Sequence, residues 1–205
     1  MKISLSDTGK RYNREWIFRH LHYTFESGTA YAVTGPNGSG KSTLLQVVAG
    51  ATQHNEGSIV QTLEGTVLPE ETWYRYCGMA APYLELPEEM TLNEFLHFHF
   101  CFKPALPGIT ADAVINAIGL AQAANRQLRY YSSGMKQRVK LAQAIFCNVP
   151  LLLLDEPCTN LDTAGIALYH KLISEYTEGR LILVSSNDER EYGFCTQQLN
   201  ITDYK

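Results

Sequence analysis

Apolar and polar residues alternate along residues 21–34 and then give way to an apolar run. Alternation is typical of a strand with one buried face, and the Ser-Gly pair within the segment predicts a turn between two strands. The run at 30–34 is apolar enough for a strand that is buried on both faces, as in a parallel sheet. The runs LLLLD at 151–155 and LILVS at 181–185 have the same character. We therefore predict a sheet of buried parallel strands, and two more strands at 58–61 and 73–79.

Helical periodicity appears in the other segments, where apolar residues recur every three or four positions. The predicted helices lie at 41–50, 91–102, 110–124, 134–147 and 164–177. Thr91 and Glu94 have the spacing of a capping box at the start of the second helix. The helical character of 88–147 predicts a small helical subdomain inserted into a core formed by about 1–87 and 148–205.

The order of elements is strand, loop, helix, helical insert, strand, helix, strand. This order predicts one α/β domain with a mostly parallel sheet, preceded by N-terminal antiparallel strands. In such folds ligands bind at the carboxyl ends of the parallel strands.

Composition narrows the classes of partner that the protein can bind and the cellular compartment that we expect for it. The chain has 205 residues, 45% of them apolar, and a net charge of -4, which argues against nucleic acid as a partner. No apolar stretch reaches about 18 residues, and the N-terminus lacks the apolar segment of a signal peptide, so we expect a cytoplasmic protein. The five cysteines show no Cys-x-x-Cys spacing, which favours reduced and mostly buried thiols.

A phosphate-binding loop follows the first buried strand. The segment GPNGSGKST matches the pattern of this loop in every fixed position and stands between a strand and a helix, as the loop requires. Its glycines let several backbone N–H groups point at one anion, and the next helix adds the positive end of its dipole. The residues expected to contact nucleotide are Gly35, Pro36, Asn37, Gly38, Ser39, Gly40, Lys41, Ser42 and Thr43. A chance glycine-rich turn is the alternative, and the flanking elements disfavour it.

Three side chains have candidate roles in chemistry at this loop. Lys41 supplies a positive charge for the β- and γ-phosphates, and the hydroxyl of Ser42 is a ligand of the kind that Mg²⁺ prefers. Asp155 ends a buried strand, where a second anchor for Mg²⁺ belongs. Glu156 follows it and points elsewhere, toward the place of an attacking water. A solvated acidic pair is the alternative for Asp155 and Glu156.

At this point the sequence resembles the nucleotide-binding subunit of ABC transporters, over nearly the whole chain. The segment YSSGMKQRV at 131–139 is similar to the signature motif of that family, and LLLLDEP at 151–157 follows it. A phosphate loop alone would also fit kinases and GTPases, whereas the signature is specific to this family. The resemblance implies an ATPase that uses ATP and Mg²⁺ and drives transport.

The resemblance also implies a head-to-tail pair of such subunits, a homodimer or a heterodimer. Each ATP would lie between the phosphate loop of one subunit and the signature of the other, where Ser132 and Gly134 reach the γ-phosphate. Asp162 resembles the acid of the loop that communicates across the dimer. Tyr12 resembles the aromatic residue that stacks on adenine, with Trp16 as a rival.

Two positions depart from the family pattern. Pro82 stands where the family carries a glutamine that contacts Mg²⁺ and water, and Asn187 stands where it carries a switch histidine. Asparagine can donate a hydrogen bond, but it cannot become cationic or shuttle a proton. We therefore expect catalysis by Glu156 with support from Asn187, at a rate below that of typical relatives.

The expected partner is a separate membrane permease. Without a membrane segment of its own, the chain would act at the inner face of the cell membrane and dock through the helical subdomain. Its aromatic residues at 95, 98, 100 and 102 suit either a docking notch or ordinary core packing. The variant signature, with Ser133 and Met135, favours an exporter-type subunit. The alternative function is an ABC ATPase that regulates another complex and transports nothing.

Overall fold

A computed structural model describes all 205 residues. The chain divides into two compact units. The core unit comprises Met1–Cys77, Pro150–Asp155 and Gly179–Lys205, and the helical unit comprises Gly78–Val149 and Glu156–Glu178.

Nine strands and six α-helices follow one another along the chain. The strands are β1 (Lys2–Tyr12), β2 (Glu15–Glu26), β3 (Ala30–Thr34), β4 (Glu56–Leu63), β5 (Thr66–Val67), β6 (Cys77–Ala80), β7 (Leu151–Asp155), β8 (Leu181–Ser185) and β9 (Gln197–Asn200). The helices are α1 (Lys41–Val48), α2 (Leu92–Phe102), α3 (Ala111–Ala117), α4 (Ser133–Ile145), α5 (Thr163–Tyr176) and α6 (Glu189–Tyr192).

The core unit contains an antiparallel sheet and a parallel one. The antiparallel sheet has the order β2-β1-β4-β5, and the parallel strands of the core unit have the order β7-β8-β3-β9. Every residue of β7 and β8 is buried, which explains why both strands are continuous apolar runs. The crossovers place the carboxyl ends of these strands at one edge of the sheet.

The helical unit packs α2 against α3 and α4, and α4 against α5. The predicted capping box is confirmed, because the Thr91 hydroxyl accepts from the Glu94 amide while the Glu94 carboxylate accepts from the Thr91 amide. On α2, Leu92 and Phe95 are buried, whereas Phe98 and Phe102 are exposed.

Two expectations about the elements were wrong, and one strand of the parallel sheet was not predicted. The helix predicted over 110–124 ends early, because Gly119 has a φ of 70° and a short 3₁₀ turn follows at Ala121–Ala123. Residues Glu70–Arg75 form a 3₁₀ turn, in which the buried Trp73 indole donates to the Leu68 carbonyl, so the strand predicted at 73–79 begins only at Cys77. β9 was missed because only Leu199 of its four residues is buried.

No helix in the chain has the length and apolar character that crossing a membrane requires. None of the five cysteines forms a disulfide, and three of them are buried.

Candidate functional site

The phosphate loop connects β3 to α1, and a Cβ at either of two of its glycines would come too close to a neighbouring side chain. Gly40 has a φ of 108°, and a Cβ there would lie 2.3 Å from Cγ2 of Ile17. Gly35 has a φ of 140°, and a Cβ there would lie 2.8 Å from the Ser39 hydroxyl. The close packing of Ile17 and Ser39 against the backbone therefore shapes the loop as much as the turn geometry does.

Lys41 is the first residue of α1, and its ammonium group lies over the loop. It is 5% exposed, and its Nζ donates to the carbonyls of Gly35 at 2.8 Å and Pro36 at 3.2 Å. A buried cation held by two carbonyl dipoles provides a full charge at the mouth of the loop. An anion bound there can take a share of these donor contacts.

The N-terminus of α1 has the properties of an anion site. Its cap is Gly40, which has no side chain, and its first turn carries no acidic residue. The first helical hydrogen bond runs from the Leu44 amide to the Gly40 carbonyl at 2.9 Å. The amides of Ser42 and Thr43 thus have no acceptor within the helix, and they add to the positive end of the dipole. The Ser39 hydroxyl is buried in the loop without a hydrogen-bond partner.

Asp155 lies level with the start of the loop at the carboxyl edge of the parallel strands. Ser185 pairs in register with Asp155 on one side and with Val33 on the other. Asp155 is 1% exposed, and its Oδ1 has no hydrogen-bond partner. A buried carboxylate oxygen without a donor fits a cation, since an unpaired buried charge is otherwise strongly disfavoured.

The sequence patterns did not single out Ser185, whose hydroxyl lies at the same edge of the sheet. It is fully buried and, like Oδ1 of Asp155, has no partner. The two orphaned groups end neighbouring strands. A polar residue at the end of the apolar run LILVS was the available signal.

Asn187 forms a hydrogen bond with the phosphate loop. Its Nδ2 donates to Oδ1 of Asn37 at 3.0 Å, and both residues are exposed. The strand β8 ends two residues earlier, so the parallel sheet carries Asn187 to the same edge as Asp155. The side chain is therefore placed beside the loop.

Tyr12 and Trp16 differ in how far their rings are already engaged. Tyr12 is 45% exposed, with Nζ of Lys10 at 4.7 Å from the ring centre. Trp16 is less exposed, and the guanidinium groups of Arg11 and Arg19 lie over its ring at 5.4 and 4.5 Å. Two cation–π contacts already occupy Trp16, which leaves Tyr12 the freer surface for stacking.

In the helical unit, the signature residues begin α4. The Ser132 hydroxyl caps the helix by accepting from the Met135 amide at 3.3 Å. Ser132 and Gly134 line a cavity of about 330 Å³ together with Asn160 and Asp162. The Ser132 hydroxyl caps one amide of α4, and the other free amides of the first turn are donors that suit an anion.

Asp162 and Glu156 belong to the same unit as the signature. Asp162 caps α5 by accepting from the Gly165 amide at 2.7 Å, and Arg138 lies 3.8 Å from it. Glu156 is exposed and has a φ of 43°, a left-handed conformation that is strained for a residue with a Cβ. Asp7 and Glu64 are left-handed as well, so the candidate role of Glu156 rests on its position directly after Asp155.

Pro82 lies at a groove of the helical unit. Its side chain has no polar atom, but its carbonyl accepts from Nζ of Lys140 at 2.7 Å. Burial lowers the pKa of Lys140, and the neighbouring ammonium of Lys136 lowers it further. Lys136 also forms an ion pair with Glu88 across this groove, which has a volume of about 810 Å³.

A second residue that sequence analysis missed is Gln137. It is 3% exposed, and its Nε2 donates to the Pro157 carbonyl at 2.7 Å. Gln137 precedes Leu141 by one helical turn and shares its buried face, so a polar residue in the apolar stripe of this helix was the available signal.

Comparison with known proteins shows the family of this chain. A family model described as ABC transporter matches residues 18–159. The cytochrome c biogenesis ATP-binding export protein CcmA of Xylella fastidiosa is 34% identical over 172 residues, which cover 82% of this chain and 76% of that protein. The uncharacterized ABC transporter ATP-binding protein YybJ of Bacillus subtilis is 31% identical over 192 residues, covering 92% and 87%. A solved structure of a putative ABC transporter ATP-binding protein from Pyrococcus furiosus has a TM-score of 0.82 at 21% identity and covers both chains fully.

The family match spans well over half of the chain and includes the phosphate loop, the signature and the strand that ends at Asp155. The chain therefore belongs to the ABC transporter family, as an ATP-binding subunit that hydrolyses ATP.

Proposed function

We propose that this subunit holds the triphosphate of ATP in the loop from Gly35 to Thr43, with Lys41 as the main cationic contact. The observation that carries the proposal is the buried Lys41 ammonium over a helix N-terminus that has no side-chain cap. Lys41→Ala removes the charge and leaves the loop glycines in place. ATP affinity in the presence of Mg²⁺ is expected to fall at least tenfold, as measured by titration calorimetry. Equal affinity in the variant would refute the proposal.

Mg²⁺ is the proposed metal, held by the Ser42 hydroxyl and by Asp155. The unpartnered Oδ1 of Asp155 supports this role, because the oxygen is buried and receives no hydrogen bond. Bound Mg²⁺ would neutralise charge on the β- and γ-phosphate oxygens. The residues themselves orient the triphosphate between the loop and the edge of the sheet.

Glu156 is the proposed general base, and it would take a proton from the attacking water. Its exposed carboxylate, directly after Asp155 at the end of β7, supports this role. Asn187 would donate a hydrogen bond to the γ-phosphate in place of its contact with Asn37. Because Asn187 cannot carry a proton and Pro82 has no side-chain oxygen to offer Mg²⁺ or water, we expect slow hydrolysis.

Two subunits are proposed to close over two ATP molecules. The cavity of Ser132, Gly134 and Asp162 has hydroxyl and amide donors for the γ-phosphate of the partner's nucleotide. Tyr12 is proposed to stack on adenine. The γ-phosphate is then the differential contact that favours the closed pair, and hydrolysis releases it.

Transport would require a permease, which we place at the helical subdomain of about residues 88–147. The exposed Phe98 and Phe102, with ring centres 5.0 Å apart, support an apolar docking patch on α2. The subunit would then lie on the inner face of the cell membrane. The name of the relative CcmA, an export protein, supports export as the direction.

The second candidate is an ABC ATPase that regulates another complex. The most direct test is purification of the tagged subunit from detergent-solubilised membranes. A multi-span membrane protein that co-purifies in stoichiometric amounts supports the transporter, whereas recovery of the subunit only in the soluble fraction supports the regulator.

A further inference from the structure

Gln137 connects α4 to the segment that carries Glu156. Its side chain is almost fully buried, and its Nε2 donates to the Pro157 carbonyl at 2.7 Å. Buried amides and carbonyls are costly to leave unpaired, so this hydrogen bond holds the carbonyl in one place relative to the helix.

The fixed carbonyl belongs to the residue directly after Glu156. Glu156 has a φ of 43°, and its own carbonyl accepts from the Thr159 amide at 3.1 Å. A left-handed residue that precedes a proline persists only where its surroundings determine its conformation. The hydrogen bond from Gln137 helps to hold this backbone conformation, because Gln137 lies in the middle of α4.

The same helix contacts this segment at two further points. A Cβ on Gly134 would lie 3.0 Å from the Asn160 carbonyl, and Nη2 of Arg138 lies 3.8 Å from Oδ1 of Asp162. Residues 157, 160 and 162 therefore all lie against α4. The N-terminus of that helix is the signature.

We propose that Gln137 is a positioning residue that orients Glu156 and ties it to the signature helix. The proposal rests on the role of Glu156 given under the proposed function. A catalytic group must be held within about 0.5 Å of its productive position, and a misplacement of about 1 Å costs roughly a hundredfold in rate. When the signature engages the partner's nucleotide, Gln137 transmits any displacement of α4 to the backbone beside Glu156. Nucleotide bound at one site of the pair thus changes the position of Glu156, the base that acts at the other site.

The test compares two buried glutamines. Gln137→Met has nearly the same volume but no donor. Gln61→Met is the matched control, because Gln61 is 0% exposed and its Nε2 donates to the Val48 carbonyl, also at 2.7 Å. Because Oε1 of Gln61 is buried without a partner, we expect Gln61→Met to lose no more thermal stability than Gln137→Met. Only Gln137→Met should lower kcat for ATP, by roughly 10- to 100-fold, with KM for MgATP changed less than about twofold.

Hydrogen exchange provides a readout that does not depend on turnover. The Thr159 amide is protected by the Glu156 carbonyl. Its exchange should become on the order of tenfold faster in Gln137→Met and stay unchanged in Gln61→Met. Should Gln137→Met fail to fold, Gln137→Asn serves instead, since it stays polar but is one methylene too short to reach Pro157.

Wild-type kcat and unchanged Thr159 exchange in the Gln137 variant would overturn the proposal, as would an equal loss of kcat in Gln61→Met. Glu156→Gln, assayed in parallel, separates this outcome from failure of the proposed function. If Glu156→Gln still hydrolyses ATP, the assigned base is wrong. If it is inactive while Gln137→Met retains full activity, only the positioning role is wrong.

Discussion

Gly40 shows how a single residue sets the shape of the phosphate loop. Its backbone is left-handed, and Ile17 from β2 packs where a side chain would begin. Gly38 in the same loop is also left-handed, with a φ of 76°, but nothing lies within 4 Å of its Cβ position. A substitution at Gly38 therefore introduces only backbone strain, whereas one at Gly40 introduces backbone strain and a steric clash.

We expect Gly40→Ala to weaken MgATP binding by more than about tenfold, because the methyl group displaces Ile17 or the loop backbone. Gly38→Ala incurs only the conformational strain of about 1–2 kcal/mol and should bind more tightly than Gly40→Ala. Fluorescence titration with a labelled ATP analogue measures both affinities. The same affinity in the two variants would show that the contact with Ile17 has no influence on the loop.

Asn187 allows a gain-of-function prediction. Histidine at this position would add a group that can donate to the γ-phosphate as a cation and exchange a proton. Asn187→His is expected to raise kcat by about tenfold or more, and Asn187→Ala to lower it. Asn116→His, at an exposed position on α3, is the control for a histidine introduced elsewhere. An unchanged rate in Asn187→His would remove the explanation offered for slow turnover.

At the scale of elements, α2 depends on its cap. The Glu94 carboxylate accepts from the amide and the hydroxyl of Thr91 at 2.8 Å each. The backbone hydrogen bond from Thr91 is the main cause that lowers the pKa of Glu94 below its ordinary value of 4.5. A lowered pKa in the folded state means that the carboxylate stabilises the fold above the ordinary pKa and loses this effect as the pH falls through the lowered value.

Thr91→Ala should therefore destabilise the protein by about 1 kcal/mol at neutral pH, and by less below pH 4.5. Thr110→Ala is the matched control, because Thr110 caps α3 through the Ala113 amide without an acidic partner. Its effect should not change over the same pH range. Urea unfolding at several pH values measures both, and a Thr91→Ala effect that does not depend on pH would contradict the role of Glu94.

At the scale of the whole molecule, the two surfaces proposed to contact one ATP in a pair of subunits belong to different units of the chain. The phosphate loop and Asp155 belong to the core unit, and the signature and Asp162 belong to the helical unit. A mutation at the signature should therefore leave ATP binding by the monomer intact while it prevents closure of the pair.

We expect Glu156→Gln to form a dimer in ATP and Mg²⁺, because binding persists without hydrolysis. Adding Ser133→Arg should keep it monomeric, since Ser133 is exposed and lines the signature cavity. Ala113→Arg, in the first turn of α3, is the control and should dimerise normally. Analytical ultracentrifugation gives the result, and a dimer in the Ser133→Arg variant would argue against a signature-mediated interface.

The docking patch predicts an effect on partner binding alone. Phe98 and Phe102 are 51% and 72% exposed, so replacing both by serine removes little from the core. Recovery of the permease with the tagged subunit should fall severalfold, while ATP hydrolysis by the isolated subunit stays unchanged. Tyr130→Ser, at an aromatic residue that is 57% exposed, is the control. Undiminished recovery in the double variant would place the permease elsewhere.

Sequence alone determined the features that depend on neighbouring residues. The strands at 151–155 and 181–185 have the predicted bounds, because an apolar run of that length needs burial on both faces. The capping box at Thr91 and the loop between β3 and α1 follow from spacing within a few residues. The family also followed from such local patterns, namely the phosphate loop and the signature.

Tertiary structure alone decided the contacts between residues that are distant in the chain. Ser185 lies beside Asp155 because β8 pairs with β7, and Gln137 reaches Pro157 because α4 packs along the segment after β7. The exclusion of a side chain at Gly40, in the loop before α1, comes from Ile17 on β2. Local propensity does not encode such pairings, since they form only when burial brings separate elements together.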